Sequence, residues 1–388
     1  MGIAILKHMH DLPDESLCTL WVENPYFQHF CGEEFFQHRL VFDRSSMTRW
    51  RQRMGAQKLG ALIQESLAVA LRTKAAKPAD FTKVAIDTTV QPKAVMFPTD
   101  ARLAQRAREI LVRMAEKADI KLRQSYVRVG KRALLMHQRY AHARQYKRAR
   151  KCLRALRTYL GRVMRDIVRK TQGDPQLQDR FARILELSGR LMIQKKRQDG
   201  PKIYSLHAPE VECIAKGKVH RPYEFGVKAS VAATLNPCAG GQFITHACAL
   251  PGRPYDGHTL EQVIPAMEDI TAQTLQRAVC DRGYRGHKHP PGYKFKIFIQ
   301  GQKQRATPDI KRELKRRSAI EPVIGHLKSD HRMARNFLAH TTGDAINIVL
   351  AAAAYNFRRL LAWLKALWRA CLAMLLRYRA VERLAAQN

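Results

Sequence analysis

The segment RSAIEPVIGHLK, residues 317 to 328, has the spacing of a helix that packs on one side and carries charge on another. At 3.6 residues per turn, Arg317, Glu321 and Lys328 fall within roughly 40° of one another around the helix axis. The segment therefore predicts a helix that presents one carboxylate between two cations, an arrangement suited to a divalent metal ion and phosphate oxygens. The adjacent apolar stripe consists of Ile320, Ile324 and Leu327.

Two short apolar runs elsewhere each end in an aspartate. Val84 to Ile86 precede Asp87, and Ala278 to Cys280 precede Asp281, which opens a loop with two glycines. The runs predict strands that each place an aspartate at a strand end. With Glu321, the two aspartates would form an acidic triad. Such a triad can bind two metal ions roughly 4 Å apart and support an in-line phosphoryl displacement.

The charge of the chain points to a polyanionic partner. The sequence has 69 Lys and Arg against 33 Asp and Glu, a formal net charge of +36 at pH 7. Nucleic acid is the commonest partner of so basic a chain. A solvated basic surface or a structural RNA-binding protein would also explain the charge, but would leave the acidic triad unexplained. The 8 cysteines have no CxxC or Cys/His ligand spacing, which predicts reduced thiols and neither a zinc site nor a disulfide framework.

These residues lie in segments that resemble the DDE transposases of bacterial insertion sequences, in the group named after the fifth such element. The similar segments cover nearly the whole chain: WVENPYFQHFCGEEFFQHRL, FDRSSMTRWRQRMG, DTTVQPKAV, RVGKRALLMHQRYAHA, YSLHAPEVECI, HRPYEFGVK, PYDGHTL, DRGYRGH and RSAIEPVIGHLK. The third catalytic region of that group has a Tyr, an Arg, a Glu and a Lys at fixed spacing. Arg317, Glu321 and Lys328 match its last three positions, whereas Leu314 stands at the Tyr position.

The resemblance implies a DNA transposase that binds the terminal inverted repeats of an insertion sequence and catalyses strand cleavage and strand transfer. Asp87, Asp281 and Glu321 would be catalytic and would hold Mg²⁺, for which Mn²⁺ could substitute. The implied partners are double-stranded DNA, at the element ends and at the target, and a second copy of the chain, without a membrane. The implied location is the bacterial cytoplasm, at the nucleoid. The implied DNA contacts near the triad are Arg317, Lys328, Arg282 and Arg285.

Near the N-terminus, residues 14 to 74 have the pattern of a small helical unit. Asp43 can cap the helix SSMTRWRQRM, and a second apolar-periodic helix follows. Arginines surround Trp50 as they would on the DNA-reading helix of a helix-turn-helix. A solvated basic face with Trp50 in the core is an equally good interpretation. The DNA contacts predicted here are Arg49, Arg51 and Arg53.

A long helical segment is predicted between about Thr99 and Gly200. Apolar residues from Leu153 to Ile167 recur at alternating steps of three and four, the pattern of a seam between packed helices. Residues 101 to 200 contain 28 Lys and Arg and 8 Asp and Glu, so a quarter of the chain holds over half of its net charge. The sign excess favours a DNA clamp or a dimer arm over DNA, although an ordinary coiled-coil exterior is the simpler alternative.

The predicted fold class is α/β, with a ribonuclease-H-like catalytic domain that a basic helical insertion interrupts. Residues 1–78 would form the helical DNA-binding unit, 79–98 and 201–342 the catalytic domain, 99–200 the insertion, and 343–388 the C-terminal amphipathic helices. Family members usually carry several dozen residues ahead of this N-terminus, so a truncated or late start is expected. Lys365 and Arg369 interrupt the apolar C-terminal segment, which favours a packed or oligomerising helix over a membrane span.

Taken singly, each triad residue has an ordinary structural explanation. The two aspartates could form turns at strand ends, and Glu321 could complete a capping box with Ser318. Their joint occurrence with the Arg and Lys positions favours catalysis. Weaker carboxylate candidates are Asp256 and Glu224. The alternative function is a catalytically inactive, truncated DNA-binding remnant that regulates transposition, which the short N-terminus and Leu314 would suit.

Overall fold

The computed structural model describes the chain except for residues 196, 197, 199, 216–221, 303, 305, 306 and 386–388, and the side chains of 57 and 378–385. His220 and Arg221, which open the segment HRPYEFGVK, thus lie outside the described residues. The fold is mixed α/β. It divides into two compact units: Met1–Lys93 with Gly226–Asn388, and Ala94–Phe225. The second unit is longer than the predicted insertion.

The helices and strands follow one another in mixed order along the chain. Before the second unit come α1 (Gly2–Met9), α2 (Asp14–Glu23), α3 (Pro25–Phe30), α4 (Ser45–Arg72) and β1 (Lys83–Pro92). The second unit contains α5 (Asp100–Lys117), α6 (Val127–His142), α7 (Tyr146–Lys170), α8 (Pro175–Ile193) and β2 (Glu212–Ala215). Then follow β3 (Tyr223–Thr234), β4 (Ile244–Leu250), α9 (Leu260–Thr271), β5 (Arg277–Cys280), β6 (Ile297–Ile299), α10 (Pro308–Arg316), α11 (Ile320–Ser329) and α12 (His340–Ala385).

The strands form one mixed sheet. Along its main path, β2, β3, β1, β5 and β6 are neighbours in that order, and β4 pairs with β3. β1 is antiparallel to β3 and parallel to β5, and β5 is parallel to β6. Asp87, expected at a strand end, lies instead within β1, opposite Val231 of β3. The strand continues to Pro92 because β3 supplies hydrogen-bond partners and the β-branched residues after Asp87 favour extended backbone.

Helices cover both faces of this sheet. Because successive side chains of a strand point to opposite faces, Val84 and Ile86 pack with α9, whereas Ala85 packs with α10 and α11. Asp87 therefore points to the face that carries α10 and α11. Leu314, at the Tyr position of the family pattern, is buried in the core on this same face.

A larger core surrounds α12 in the first unit. The first half of α12 packs against α1, α4 and β4, and the helix is continuous from His340, slightly earlier than the predicted start at Gly343. Its Asn356 accepts a hydrogen bond from the backbone N of Ile244 at 2.8 Å and donates one to the backbone O of Ile244 at 2.9 Å. From Leu361 onward its described side chains are mostly exposed. No helix in the described part of the chain has the length and apolar character needed to cross a membrane.

The second unit has its own helical core. The seam predicted on α7 is confirmed, since Leu156, Leu160 and Ile167 are buried among side chains of α5 and α8. A short turn separates α7 from α8. Pro175 begins α8, and the Asp174 carboxylate accepts a hydrogen bond from the backbone N of Leu177 at 3.0 Å.

Candidate active site

Asp87 lies on β1, and Asp281 directly follows the neighbouring parallel strand β5. The register pairs Ile86 with Cys280, so the next residue of each chain segment is an aspartate. Adjacent strands in a sheet lie about 4.8 Å apart, which brings the two carboxyl groups within strong electrostatic range. The apolar runs before each aspartate are what place them here, because both runs are buried in the middle of the sheet.

The Asp87 carboxylate is held from two directions. Its Oδ1 accepts a hydrogen bond from the backbone N of Thr88 at 2.8 Å, and its Oδ2 lies 3.3 Å from Nη1 of Arg317. Burial raises the pKa of Asp87, and the charges of Asp281 and Asp256 raise it further, to about 6, against the Thr88 hydrogen bond and the Arg317 charge. At neutral pH this side chain therefore carries a negative charge that its surroundings only partly compensate.

Arg317 joins Asp87 to Glu321. It lies in a short 3-10 turn, Arg317–Ala319, just before α11, and its Nη2 donates to Oε1 of Glu321 at 2.8 Å. Arg317 is 8% exposed, and its buried Nε has no hydrogen-bond partner among the described residues. The predicted helix from 317 to 328 is thus a 3-10 turn followed by α11. Ser318 donates to the backbone O of Lys315 rather than forming the capping box considered for Glu321.

The loop after β5 turns Asp281 toward a further carboxylate, that of Asp256. Asp281 Oδ1 accepts from the backbone N of Gly283 at 2.8 Å. A β-carbon on Gly283 would lie 3.0 Å from Asp281 Oδ1 and 3.1 Å from Asp256 Oδ2, so only a glycine lets both carboxylates approach this point without a shift. Asp256 is the weaker candidate of the sequence analysis, where it has no setting comparable to those of the three triad residues, although it belongs to the segment PYDGHTL.

Asp256 is fixed by two donors. Its Oδ1 accepts a hydrogen bond from the Thr88 hydroxyl at 2.8 Å and forms an ion pair with Lys228. Since Thr88 follows Asp87 directly, Asp256 is coupled to Asp87 both through this hydroxyl and through its charge. The other weak candidate, Glu224, lies in the second unit.

The three predicted catalytic carboxylates are brought together only in part. Asp87 is beside Asp281, and Glu321 reaches Asp87 through the guanidinium of Arg317. Among the residues that the structure describes, no group of three or more His, Cys, Asp or Glu side chains is arranged to hold a metal ion. The donor chemistry nevertheless suits Mg²⁺, which prefers carboxylate oxygens. A metal bound by all three would require Arg317 to leave the space between Asp87 and Glu321.

The basic residues predicted near the site lie around it. Lys328 is on α11, on the same helix as Glu321. Arg282 and Arg285 are exposed in the loop after β5. The guanidinium of Arg282 lies against Gly301, and the backbone O of Arg285 accepts a hydrogen bond from the hydroxyl of Tyr255 at 2.6 Å.

The arginines predicted as DNA contacts on α4 differ in their exposure to solvent. Arg49 and Arg53 are exposed, whereas Arg51 is 6% exposed and its Nη2 lies 2.9 Å from Oδ2 of Asp14 on α2. Asp14 also binds Lys7, so Arg51 belongs to a partly buried ion-pair network that ties α1, α2 and α4 together. This gives Arg51 a structural role. The two helices predicted here are confirmed as the two segments of α4, which meet in a kink at Gly55, where the non-helical backbone (φ 64°, ψ 171°) favours glycine.

Comparison with known proteins relates the N-terminal helices to a described protein family. Residues 1–53 match the family described as "Transposase domain (DUF772)". The chain is also similar to a Rhizobium meliloti protein described as "Uncharacterized protein ORF8 in nfe locus", with 53% identity over 146 residues, which are 38% of this chain and 70% of the relative. The chain belongs to a transposase family. No solved structure matches it.

Membership of a transposase family relates the function of the chain to transposition. The residues that match the transposase domain comprise α1, α2, α3 and the part of α4 before its kink. This part includes Arg49, Arg51 and Arg53, and it contains the ion-pair network around Asp14.

Proposed function

We propose that this chain is a DNA transposase whose catalytic carboxylates are Asp87, Asp281 and Glu321. It would bind the terminal inverted repeats of an insertion sequence, cut the DNA at the element ends and join the freed 3′ ends to target DNA. The observation that carries the proposal is the register of β1 and β5, which sets two aspartates side by side under a helix that carries Glu321.

The sheet supports a ribonuclease-H-like catalytic core. In that fold, a meander of three antiparallel strands is followed by two parallel strands on the other side of the first strand. Here β4, β3, β1, β5 and β6 are neighbours in that order, with β1 central and parallel to β5. The catalytic aspartates would then stand on the two central strands, and the second unit would be an insertion between β1 and β3.

The carboxylates fit a divalent metal in chemistry and charge. The raised pKa of Asp87 means that the site holds negative charge that lacks compensation, which a bound cation would supply. Bound Mg²⁺ ions would favour attack by water or by a 3′-hydroxyl and stabilise the departing oxygen. Asp87 and Asp281 would hold the ions. Glu321, on an exposed helix face, would complete the site once Arg317 turned from the carboxylates toward a phosphate.

The surrounding cations would position DNA. Lys328, Arg282 and Arg285 are on the two segments that frame the carboxylates, and cations there can bind phosphates on either side of the cut. On α4, Arg49 and Arg53 are the exposed candidates for contacts to the inverted repeat, while Arg51 would act by holding α4 in place. A homodimer that binds both element ends is part of the proposal.

The second candidate function is a DNA-binding regulator without catalysis. The ion pairs that Arg317 makes with Asp87 and Glu321 favour it, because the guanidinium lies between two of the three carboxylates, where it competes with a metal ion for their oxygens. Leu314 does not favour it, since this residue fills the core beneath α11 and leaves the carboxylates unaffected.

The deciding experiment is strand cleavage of end-labelled DNA that spans the boundary of the element that encodes this chain. Wild-type protein is compared with Asp281→Asn and with Asp269→Asn, an exposed aspartate on α9 that serves as the matched control. We expect cleavage at the boundary with Mg²⁺ or Mn²⁺, unchanged in Asp269→Asn and at least 100-fold slower in Asp281→Asn, which should still bind the DNA. Boundary binding without cutting by wild-type protein would support the regulator instead.

A further inference from the structure

The hairpin of α6 and α7 has an extreme charge composition. Between residues 127 and 170 the sequence contains 15 Lys and Arg and one acidic residue, Asp166. Asp166 is buried, where it accepts a hydrogen bond from the backbone N of Arg123 at 2.7 Å. The outer surface of the hairpin therefore carries positive charge alone, whereas a merely solvated helix would mix both signs.

The basic residues of α7 are concentrated on one face. At 100° per residue they fall opposite the apolar stripe that packs into the core of the second unit. The basic face, from residue 147 to residue 165, is about 27 Å long at a rise of 1.5 Å per residue. That length corresponds to about eight phosphates of one strand of a duplex. The exposed residues of this face are Lys147, Lys151, Arg154, Arg162 and Arg165.

α6 extends the same charge onto a second helix, which packs against α7. Gly130 is the buried residue of α6. A β-carbon at this position would lie 2.7 Å from Oε1 of Gln105, so α6 approaches α5 closely at Gly130. Its exposed basic residues are Arg128, Lys131, Arg132 and Arg139. In the described part of the chain, none of these basic residues of α6 and α7 forms an ion pair with an acidic side chain.

From these observations we propose that the α6–α7 hairpin binds the phosphate backbone of duplex DNA without reading its sequence. A second copy of the chain is a poorer occupant, because it would bring a like-charged hairpin against this one. Single-stranded nucleic acid also fits less well, since binding single strands depends on exposed aromatic rings. Tyr126 and Tyr159 stack on each other at 4.9 Å, and Tyr140 lies under Arg148, which leaves the exposed Tyr146 as a single ring rather than a row on which successive bases could stack.

Part of the surface is already ordered for such contacts. The guanidinium of Arg162 lies 6.0 Å from the ring centroid of Tyr126, and its Nη1 is 3.4 Å from the Tyr126 hydroxyl. Arginine held in this way loses less side-chain entropy when it binds a phosphate. The inference deepens the proposed function, since it assigns to the hairpin the duplex on which that function would act.

The test compares two pairs of substitutions in the full chain. Lys151→Gln with Arg154→Gln removes two charges from the α7 face. Arg180→Gln with Arg183→Gln removes two exposed charges from α8, where Asp179 and Glu186 mix the signs, and serves as the matched control. Both variants change exposed residues, so both should keep the wild-type helical content and melting temperature.

Binding is measured by fluorescence anisotropy with a 30-base-pair duplex of arbitrary sequence and with one from the element boundary, over a range of salt concentrations. We expect the α7 variant to bind both duplexes about tenfold or more weakly at 0.15 M salt, and its salt slope to fall by about 1.8 for two lost phosphate contacts. The α8 variant should bind like wild-type protein.

Several outcomes would overturn the inference. Equal losses in the two variants would indicate a general charge effect, and an unchanged salt slope would exclude phosphate contacts by these residues. An α7 variant that binds both DNA duplexes like wild-type protein would also overturn the inference. The proposed function can fail while the hairpin inference holds. Wild-type protein would then cut no DNA, but the α7 variant would still bind DNA more weakly than wild-type protein.

Discussion

At the scale of single residues, Asp87 lies in an environment that disfavours its negative charge. Its pKa is raised from 3.8 to about 6, chiefly by burial and then by Asp281. A raised pKa means that the folded state disfavours the charged form. The stability that the protein gains from protonated Asp87 is therefore fully present below pH 3.8 and is lost as the pH rises through about 6. At neutral pH the ionised Asp87 carboxylate therefore lowers the free energy of unfolding.

Replacing Asp87 with Asn should stabilise the metal-free protein at neutral pH. The two-unit pKa difference, which already includes the opposing Arg317 charge, sets an upper bound of about 3 kcal/mol, and solvent screening of the partly exposed carboxylate reduces the expected gain to about 1–2 kcal/mol. Urea unfolding at pH 7.5 with a chelator measures the change, and the gain should vanish near pH 4. Asp269→Asn is the control. A less stable Asp87→Asn at pH 7.5 would mean that the Arg317 pairing outweighs the burial and repulsion.

Removing the Arg317 side chain should have the opposite effect. Arg317→Leu leaves the Asp87 carboxylate buried without a cation, which should cost about 2–3 kcal/mol at pH 7.5 and less near pH 4, where Asp87 is protonated. Arg317→Lys keeps the positive charge, so its loss of stability should be smaller than that of Arg317→Leu. The measurement is again urea unfolding at both pH values. A cost that does not depend on pH would show that Arg317 stabilises the protein through packing alone.

At the scale of elements, Asn356 of α12 closes the edge of the sheet. Strand edges expose unpaired backbone groups, and here one amide side chain pairs with both the N–H and the C=O of Ile244 while also donating to the Ser66 hydroxyl at 2.9 Å. One residue therefore links α12, β4 and α4.

Asn356→Leu should lower the free energy of unfolding by about 2–4 kcal/mol, because two buried backbone groups lose their partners. Asn356→Asp keeps an acceptor for the Ile244 N–H but sets a carboxyl oxygen against the Ile244 carbonyl, so this variant should also be less stable than wild-type protein. Hydrogen exchange at Ile244 should accelerate in step with the loss. Unchanged exchange at Ile244 would mean that water or another group replaces the amide.

The comparison with sequence shows which elements were predictable. The strands before Asp87 and Asp281 and the helix with Glu321 were predicted from local apolar patterns, and all are present. The extension of β1 beyond Asp87, the turn of Arg317 toward Asp87, and the pairing of Arg51 with Asp14 depend on residues distant in sequence. The contact of Asp256 depends on a distant residue too, because its partner Thr88 lies on β1.

At the scale of the whole molecule, α12 divides into a packed part and an exposed part. Leu360 is 3% exposed and the indole N–H of Trp363 donates to the backbone O of Thr73 at 3.1 Å. Beyond this point, large apolar side chains such as Trp368, Met374 and Leu376 are exposed. The fold of the first unit therefore depends on α12 only up to about Trp363.

A chain that ends after Ala366 should unfold within about 1 °C of the full chain, since it keeps all these contacts. A chain that ends after Tyr355 loses Asn356, Leu360 and Trp363 and should be strongly destabilised or fail to fold. Calorimetry of both truncations measures the difference. A clear loss in the longer truncation would show that the exposed segment packs onto the rest of the molecule.

The position of Asn356 also bears on how the protein is made. A ribosome synthesises β4 long before α12, so the nascent chain carries an open strand edge until the last helix emerges. During that interval β4 could pair with another chain, and a message broken ahead of residue 356 would yield products that keep this edge. The carboxylate site lies in the same sheet. It can therefore reach its final form only after nearly the entire chain has been translated.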